Sequence, residues 1–189
     1  MNIICGLGNP GRQYNNTRHN IGFKFIEKLI ITNKFEQIKT NKFFKLYSGQ
    51  IQSKQITLIK PSTFMNLSGE AILNYSKFYK FEPSKLLIIH DDLDLKIGKI
   101  KFKIGGGNGG HNGLLSLDQN IGNSYNRLRI GIGKPQNKNY VNKYVLNKFN
   151  DSEKKFFDKV INVCIKNIFD LFNDKNIFLT KTISEIQKL

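Results

Sequence analysis

Apolar and polar positions alternate with two different periods along this chain, and each change of period marks an element. Residues 2–5 are an apolar run that breaks into the glycine-rich stretch from Gly6 to Gly11, the pattern of a buried strand entering a loop. Between residues 20 and 31, Ile21, Phe25, Ile26, Leu29 and Ile30 recur at helical spacing. Residues 43–51 and 55–59 are β-rich runs separated by a few polar residues, which predicts a hairpin ending at Pro61. After Ser68, a second helical stripe of Ala71, Ile72, Tyr75, Phe78 and Tyr79 stops at Pro83.

Residues 86–89 read as a central strand. Over residues 100–104, Ile100, Phe102 and Ile104 alternate with Lys101 and Lys103, a half-buried strand with one basic face. A short helix over 114–121 and a strand over 127–133 follow, and the polar residues 134–142 predict a mobile loop. From residue 151, Phe156, Phe157, Val160, Ile161, Cys164, Ile165, Ile168, Phe169 and Phe172 mark a long amphipathic helix, with another in the tail to residue 189. Helices alternating with strands, plus a hairpin too short for a parallel crossover, predict an α/β fold. The expected architecture is a three-layer single domain over residues 1–189, with a twisted mixed β-sheet flanked by helices.

Composition agrees with a packed core: 39% of the 189 residues are apolar and 12% aromatic, which excludes a disordered tail, collagen or a coiled coil. Cys5 and Cys164 read as buried reduced thiols. No signal peptide precedes the first strand, and no apolar run approaches the roughly 18–20 residues of a membrane span, so a cytoplasmic protein without a membrane partner is expected.

Charge changes the picture more. The net charge is +16, from 30 Lys and Arg against 14 Asp and Glu. An AT-biased genome would load lysine onto any solvated surface. Yet residues 99–150 hold nine basic side chains and a single carboxylate, Asp118, whereas the last 39 residues are nearly neutral. Such clustering suits a phosphate backbone.

Four polar segments lie where strands meet loops or helices, the usual place for a site in such sheets. The first holds Gly6-x-Gly8-x-x-Gly11, a literal dinucleotide fingerprint, but Pro10-Gly11 followed by Tyr14-Asn15-Asn16 favours a turn and postpones the helix that a phosphate cradle needs. All three histidines, His19, His90 and His111, occupy these segments. His19 stands at a helix entrance, where the helix dipole favours a neutral imidazole able to accept a proton. Asp91, Asp92 and Asp94 form the one acidic island between basic stretches, and one of them could orient an imidazole. No GxSxG turn announces a serine nucleophile and no tight ligand spacing announces a metal, which leaves water activated by histidine as the attacking group. Asn9, Asn66 and Asn112, in three different loops, could offer amide groups to a carbonyl substrate or stand there as ordinary turn residues.

The segments GLGNPGRQYNNTRHNIG, KPSTFMNLSG, HDDLDL, KFKIGGGNGGHNGL and RLRIGIGKP, in that order, resemble the motifs of the bacterial-type peptidyl-tRNA hydrolase family. The resemblance runs from residue 2 to about 145. It implies cleavage of the ester joining a peptide to the 3′ ribose of tRNA, by a monomeric α/β enzyme without metal or other cofactor. His19 then matches the family's base and Asp91 the carboxylate that orients it. Asn9, Asn66 and Asn112 match amides that bind the peptide and position water. Tyr14, Met65 and His111 match other residues lining the substrate cleft, and Lys103 and Arg129 match positions associated with tRNA phosphates. Asp92 and Asn108 depart from the family's pattern without touching these roles. A non-catalytic RNA-binding or ribosome-associated module is the competing class, since the basic face suits it equally.

Overall fold

A computed structural model describes residues 2–189, apart from the side chain of Lys138. The strands are β1 (Ile3–Gly6), β2 (Glu36–Thr40), β3 (Phe44–Ile51), β4 (Lys54–Pro61), β5 (Leu86–Asp92), β6 (Ile100–Ile104) and β7 (Asn126–Gly131). They form one sheet in the order β2-β3-β4-β1-β5-β7-β6. β4, β1, β5 and β7 run parallel, and β3, β2 and β6 run antiparallel to their neighbours, so the sheet is mixed. The central strands β1 and β5 are almost continuously apolar because helices cover both faces.

α1 (Ile21–Asn33), α5 (Asp151–Asn173) and α6 (Lys175–Ile186) cover one face, where Phe25, Phe157, Val160 and Phe178 pack on Ile4, Ile89 and Leu128. α2 (Ser68–Phe78) and α3 (Asn112–Ile121) cover the other, where Ile72, Leu114 and Leu117 meet Ile3, Cys5 and Ile88. The expected three layers are present. Among the described residues, no helix is long and apolar enough to cross a membrane.

Three elements differ from expectation. β2 has no apolar alternation; it is an exposed edge strand that exists because β3 supplies its ladder. β5 runs three residues further than its apolar stretch, since pairing with β7 continues from Leu87 opposite Asn126 to Asp92 opposite Gly131. The polar segment 134–142, expected as a loop, ends in a 3-10 turn over Lys138–Tyr140 that runs into a short helix, α4 (Val141–Leu146), tied down where the Tyr144 hydroxyl donates to the Ile132 carbonyl at 2.6 Å.

The first glycine loop is explained by packing. α1 begins at Ile21, ten residues past Gly11, so the fingerprint does not open a helix and the dinucleotide reading loses its structural basis. A Cβ on Gly6 would lie 2.1 Å from the Gly22 carbonyl oxygen, and one on Gly22 would lie 2.4 Å from the Ile89 oxygen. These bare backbones let the first turn of α1 sit directly on the ends of β1 and β5. Gly22→Ala should therefore force strands and helix apart, costing about 3 kcal/mol and lowering the thermal midpoint by about 6–12 °C. A melting curve followed by circular dichroism and unchanged within about 2 °C would contradict this account.

Candidate active site

Because the ladder with β7 carries β5 past its apolar stretch, His90, Asp91 and Asp92 belong to a strand and not to the loop that the sequence suggested. Their side chains alternate between faces. Asp91, almost wholly buried, meets His19, which sits in a 3-10 turn over Arg18–Asn20 that runs straight into α1. The Nδ1 atom of His19 lies 2.9 and 3.0 Å from the two Asp91 oxygens. From the other side, Nε2 of His111 lies 3.1 Å from Oδ1 of Asp91.

Hydrogen-bond direction fixes the tautomers. Nδ1 of His111 accepts the backbone N–H groups of Gly113 and Leu114 at 3.1 and 3.3 Å, capping α3. An amide N–H can only donate, so the proton of His111 is assigned to Nε2, where it points at Asp91. Asp91 likewise draws the His19 proton to Nδ1, leaving Nε2 as an open acceptor on a residue that lines a cavity of about 240 Å³.

The electrostatics follow from these contacts. Burial raises the Asp91 carboxyl, but the adjacent imidazoles more than offset it and hold the group well below the usual carboxylate range. Burial pulls His19 down, yet the charge and hydrogen bond of Asp91 outweigh it and leave His19 above its ordinary value. That corrects the expectation of a neutral imidazole favoured by the helix dipole: the nearby carboxylate exceeds the helix end. His90 donates from Nδ1 to the Asp91 carbonyl at 2.7 Å, and burial, with His111 beside it, drives its pKa down to about 3. His90 is thus a neutral part of the wall and no proton carrier.

The same cavity is lined by His111, Asn112, Lys103 and Arg129. Asn112 is exposed at the start of α3, and Lys103 is exposed on β6. Arg129 Nε donates to Asp92 at 2.7 Å, and Lys134 lies 3.5 Å from Asp94, so the acidic island is largely answered by basic neighbours. Asn9 and Met65 do not line this cavity: Asn9 lines a second one, of about 410 Å³, with Asn20 and Lys60, and Asn9 and Met65 are locked together. The Met65 N–H donates to Asn9 Oδ1 at 2.8 Å, which leaves the Asn9 Nδ2 as a donor, while Asn20 holds the Asn9 backbone through two further 2.8 Å bonds. The Met65 sulfur sits under Gly113, next to Asn112. Asn66, next in chain, is exposed, and half-buried Tyr14 meets Phe64 edge to face at 6.2 Å. Asn66 and Tyr14 do not line the 240 Å³ cavity either, and no contact joins them to His19 or Asp91 among the described residues.

Two buried arginines escaped sequence reading. Arg18 donates to both carboxylate oxygens of Glu153, at 2.7 and 2.9 Å, and to the carbonyls of Asn147 and Lys148, while stacking on Tyr144 and Phe149. Arg127 donates to the carbonyls of Gly106 and Gly107 at 2.8 and 2.9 Å. Alternation of arginine with apolar residues in β7 was the available signal, but it cannot say which arginine is buried.

A metal would find ligand atoms on His19, Asp91 and His111 within 4.8 Å of one another. A cation there would have to displace the proton that the α3 cap holds on His111 Nε2 and compete with both imidazoles for Asp91, although His19 Nε2 is open. The thiols offer nothing to the site, since burial raises both, Cys164 to about 12.

Comparison with known proteins gives a consistent result. The family model described as "Peptidyl-tRNA hydrolase" matches residues 3–188. A peptidyl-tRNA hydrolase of Rickettsia canadensis (strain McKiel) is 48% identical over 174 residues, covering 90% of this chain and 92% of that one. That of Rickettsia prowazekii (strain Madrid E) is 45% identical over 188 residues, covering 98% and 97%. The crystal structure of peptidyl-tRNA hydrolase from Acinetobacter baumannii superposes with a TM-score of 0.88 at 37% identity, covering 98% of this chain and 94% of that one.

The shared Asp91 sets a testable sign. Below its pKa, His19 is protonated at both nitrogens and cannot accept a proton, so the raised value delays its availability on the way up from acid. Asp91→Asn removes the charge and keeps the burial, so the His19 titration should move from above to below about 6.5, the ordinary imidazole value. NMR titration of the His19 ring proton checks this; the same midpoint in both proteins would sink the assignment.

Proposed function

The chain belongs to the peptidyl-tRNA hydrolase family and hydrolyses the ester of peptidyl-tRNA, and we propose that it does so with water activated by His19, without a metal. The observation that carries this reading is the contact of His19 Nδ1 with both oxygens of a buried Asp91, with Nε2 left open on the cavity wall. Nε2 takes the proton from a water attacking the ester carbonyl, and Asp91 stabilises the imidazolium that forms. The proton then passes to the departing 3′ oxygen of the ribose. An ester is an activated acyl group, and a positioned base worth about 10²–10⁴-fold suits it.

Asn112, which lines the same cavity as His19, donates to the developing oxyanion in this reading. Asn9 and Asn66, on either side of Met65, with Tyr14 beside them, grasp the peptide backbone, where a free charged amino terminus would be poorly accommodated. His111 acts through Asp91 and the α3 cap. Lys103 and the terminal nitrogens of Arg129 meet RNA phosphates, an anchor indifferent to base sequence. The enzyme is read as a monomeric single domain working in the cytoplasm, where translation generates its substrate.

Incubation with N-blocked aminoacyl-tRNA tests the reading. The parent should release the blocked amino acid at the same rate with and without chelator, and His19→Ala should be at least about 100-fold slower. An unchanged rate in His19→Ala would remove the base, and loss of parental activity in chelator would restore a metal. Raising salt from about 50 to 200 mM should raise KM by about 7–12-fold for two phosphate contacts; a flat KM would remove the phosphate anchor.

A further inference from the structure

The glycine loop between β6 and α3 contains a feature that the reaction above does not use. Arg127 is 2% exposed beneath it, held by Asp118 at 3.3 Å and by the Tyr125 ring at 4.7 Å. Its guanidinium draws the carbonyls of Gly106 and Gly107 inward to itself. All peptide bonds here are trans, which places each N–H opposite the preceding carbonyl. The N–H groups of Gly107 and Asn108 therefore point the same way, away from Arg127 and out of the loop. Among the described residues neither donates a hydrogen bond, and the same holds for Gly106 and Gly109, whereas the N–H groups of Gly105, Gly110 and His111 are used.

Two further observations mark the outward side as a ligand surface. Lys103 presses its ammonium against Gly106, where a Cβ would lie 2.4 Å from Nζ. Gly107 needs to be glycine for no internal reason: its backbone is outside the left-handed region, and an added Cβ would meet nothing within 4 Å. A bare backbone in open space allows another molecule to approach closely. Gly107, Asn108 and Lys103 line the same cavity as His19.

We propose that the backbone N–H groups of Gly107 and Asn108, with the Lys103 ammonium, form a phosphate subsite that holds a phosphodiester of the substrate's RNA strand beside His19. Parallel amides make a concavity that favours an anion, and the ammonium supplies the countercharge. Arg127 is the positioning residue, because its planar fork alone turns two successive peptides at once. The inference rests on the reading of the substrate as an RNA ester.

The amide signals of residues 107 and 108 are followed by NMR in the full chain during titration with the dinucleoside monophosphate cytidylyl-adenosine, with its two free nucleosides, and with inorganic phosphate. Both amide protons should move downfield with the dinucleotide, should move with inorganic phosphate only at higher concentration, and should stay still with the nucleosides. Shifts produced by the nucleosides, by inorganic phosphate but not by the dinucleotide, or only at other residues would overturn the subsite. Arg127→Lys should weaken dinucleotide binding about tenfold. Gly107→Ala, which disturbs no contact, should fold as the parent does yet bind the dinucleotide about tenfold more weakly, and raise KM for N-blocked aminoacyl-tRNA with kcat within about twofold. Unchanged affinity in Gly107→Ala would refute the proposal. Failure of the parent to hydrolyse the tRNA ester would instead refute the underlying function, so the two failures are distinguishable.

Discussion

A buried carboxylate is tolerated only where its charge and lone pairs are answered, and Asp91 is answered by two imidazoles from distant parts of the chain. That requirement draws three elements to one point: the entrance of α1, the end of β5 and the start of α3. Asp91 can accept from His111 only in the tautomer that the α3 cap enforces. A helix terminus thus sets the proton on one histidine, the carboxylate sets it on the other, and the open nitrogen of His19 is what remains. Leaving either imidazole out would strand a charge in an environment that cannot solvate it.

Much of this was legible in the sequence, for identifiable reasons. The apolar runs of β1 and β5 and the stripes of α1, α2 and α5 carry strong periods, because each buries a whole face. The candidate groups His19, Asp91, His111 and Asn112 stand in polar segments beside those runs. What stayed hidden depends on partners. β2 has no apolar period of its own, and α4 is short, with Tyr144 and Val145 as its main anchors. The end of β5 reads as a loop because its polar side chains are balanced by residues up to 72 positions away. The rise in His19 likewise depends on a carboxylate whose proximity no local pattern reveals.

The arginines illustrate a related point. In a chain with far more lysine, three of the four arginines, Arg18, Arg127 and Arg129, have fixed carboxylate partners, and Arg18 and Arg127 are buried. Lysine can cover a solvated surface, but a single ammonium cannot engage two carbonyls and a carboxylate in one plane. Compositional pressure towards lysine therefore leaves arginine visible where geometry demands a fork. Across the sheet, Lys101 pairs with Arg129, and Lys103 with Arg127, so each lysine stands beside a guanidinium held by a carboxylate.

Arg18 adds a last consequence. Its guanidinium grips Glu153, and that same carboxylate closes the capping box of α5 by accepting the Asn150 N–H. The residue immediately before the proton acceptor is thereby bolted to the first turn of the longest helix. A chain severed ahead of residue 150 would keep every side chain assigned to the chemistry, yet lose the brace behind the imidazole. The carboxy-terminal fifth, poor in reactive groups, is in this sense the backstop against which the proton transfer pushes.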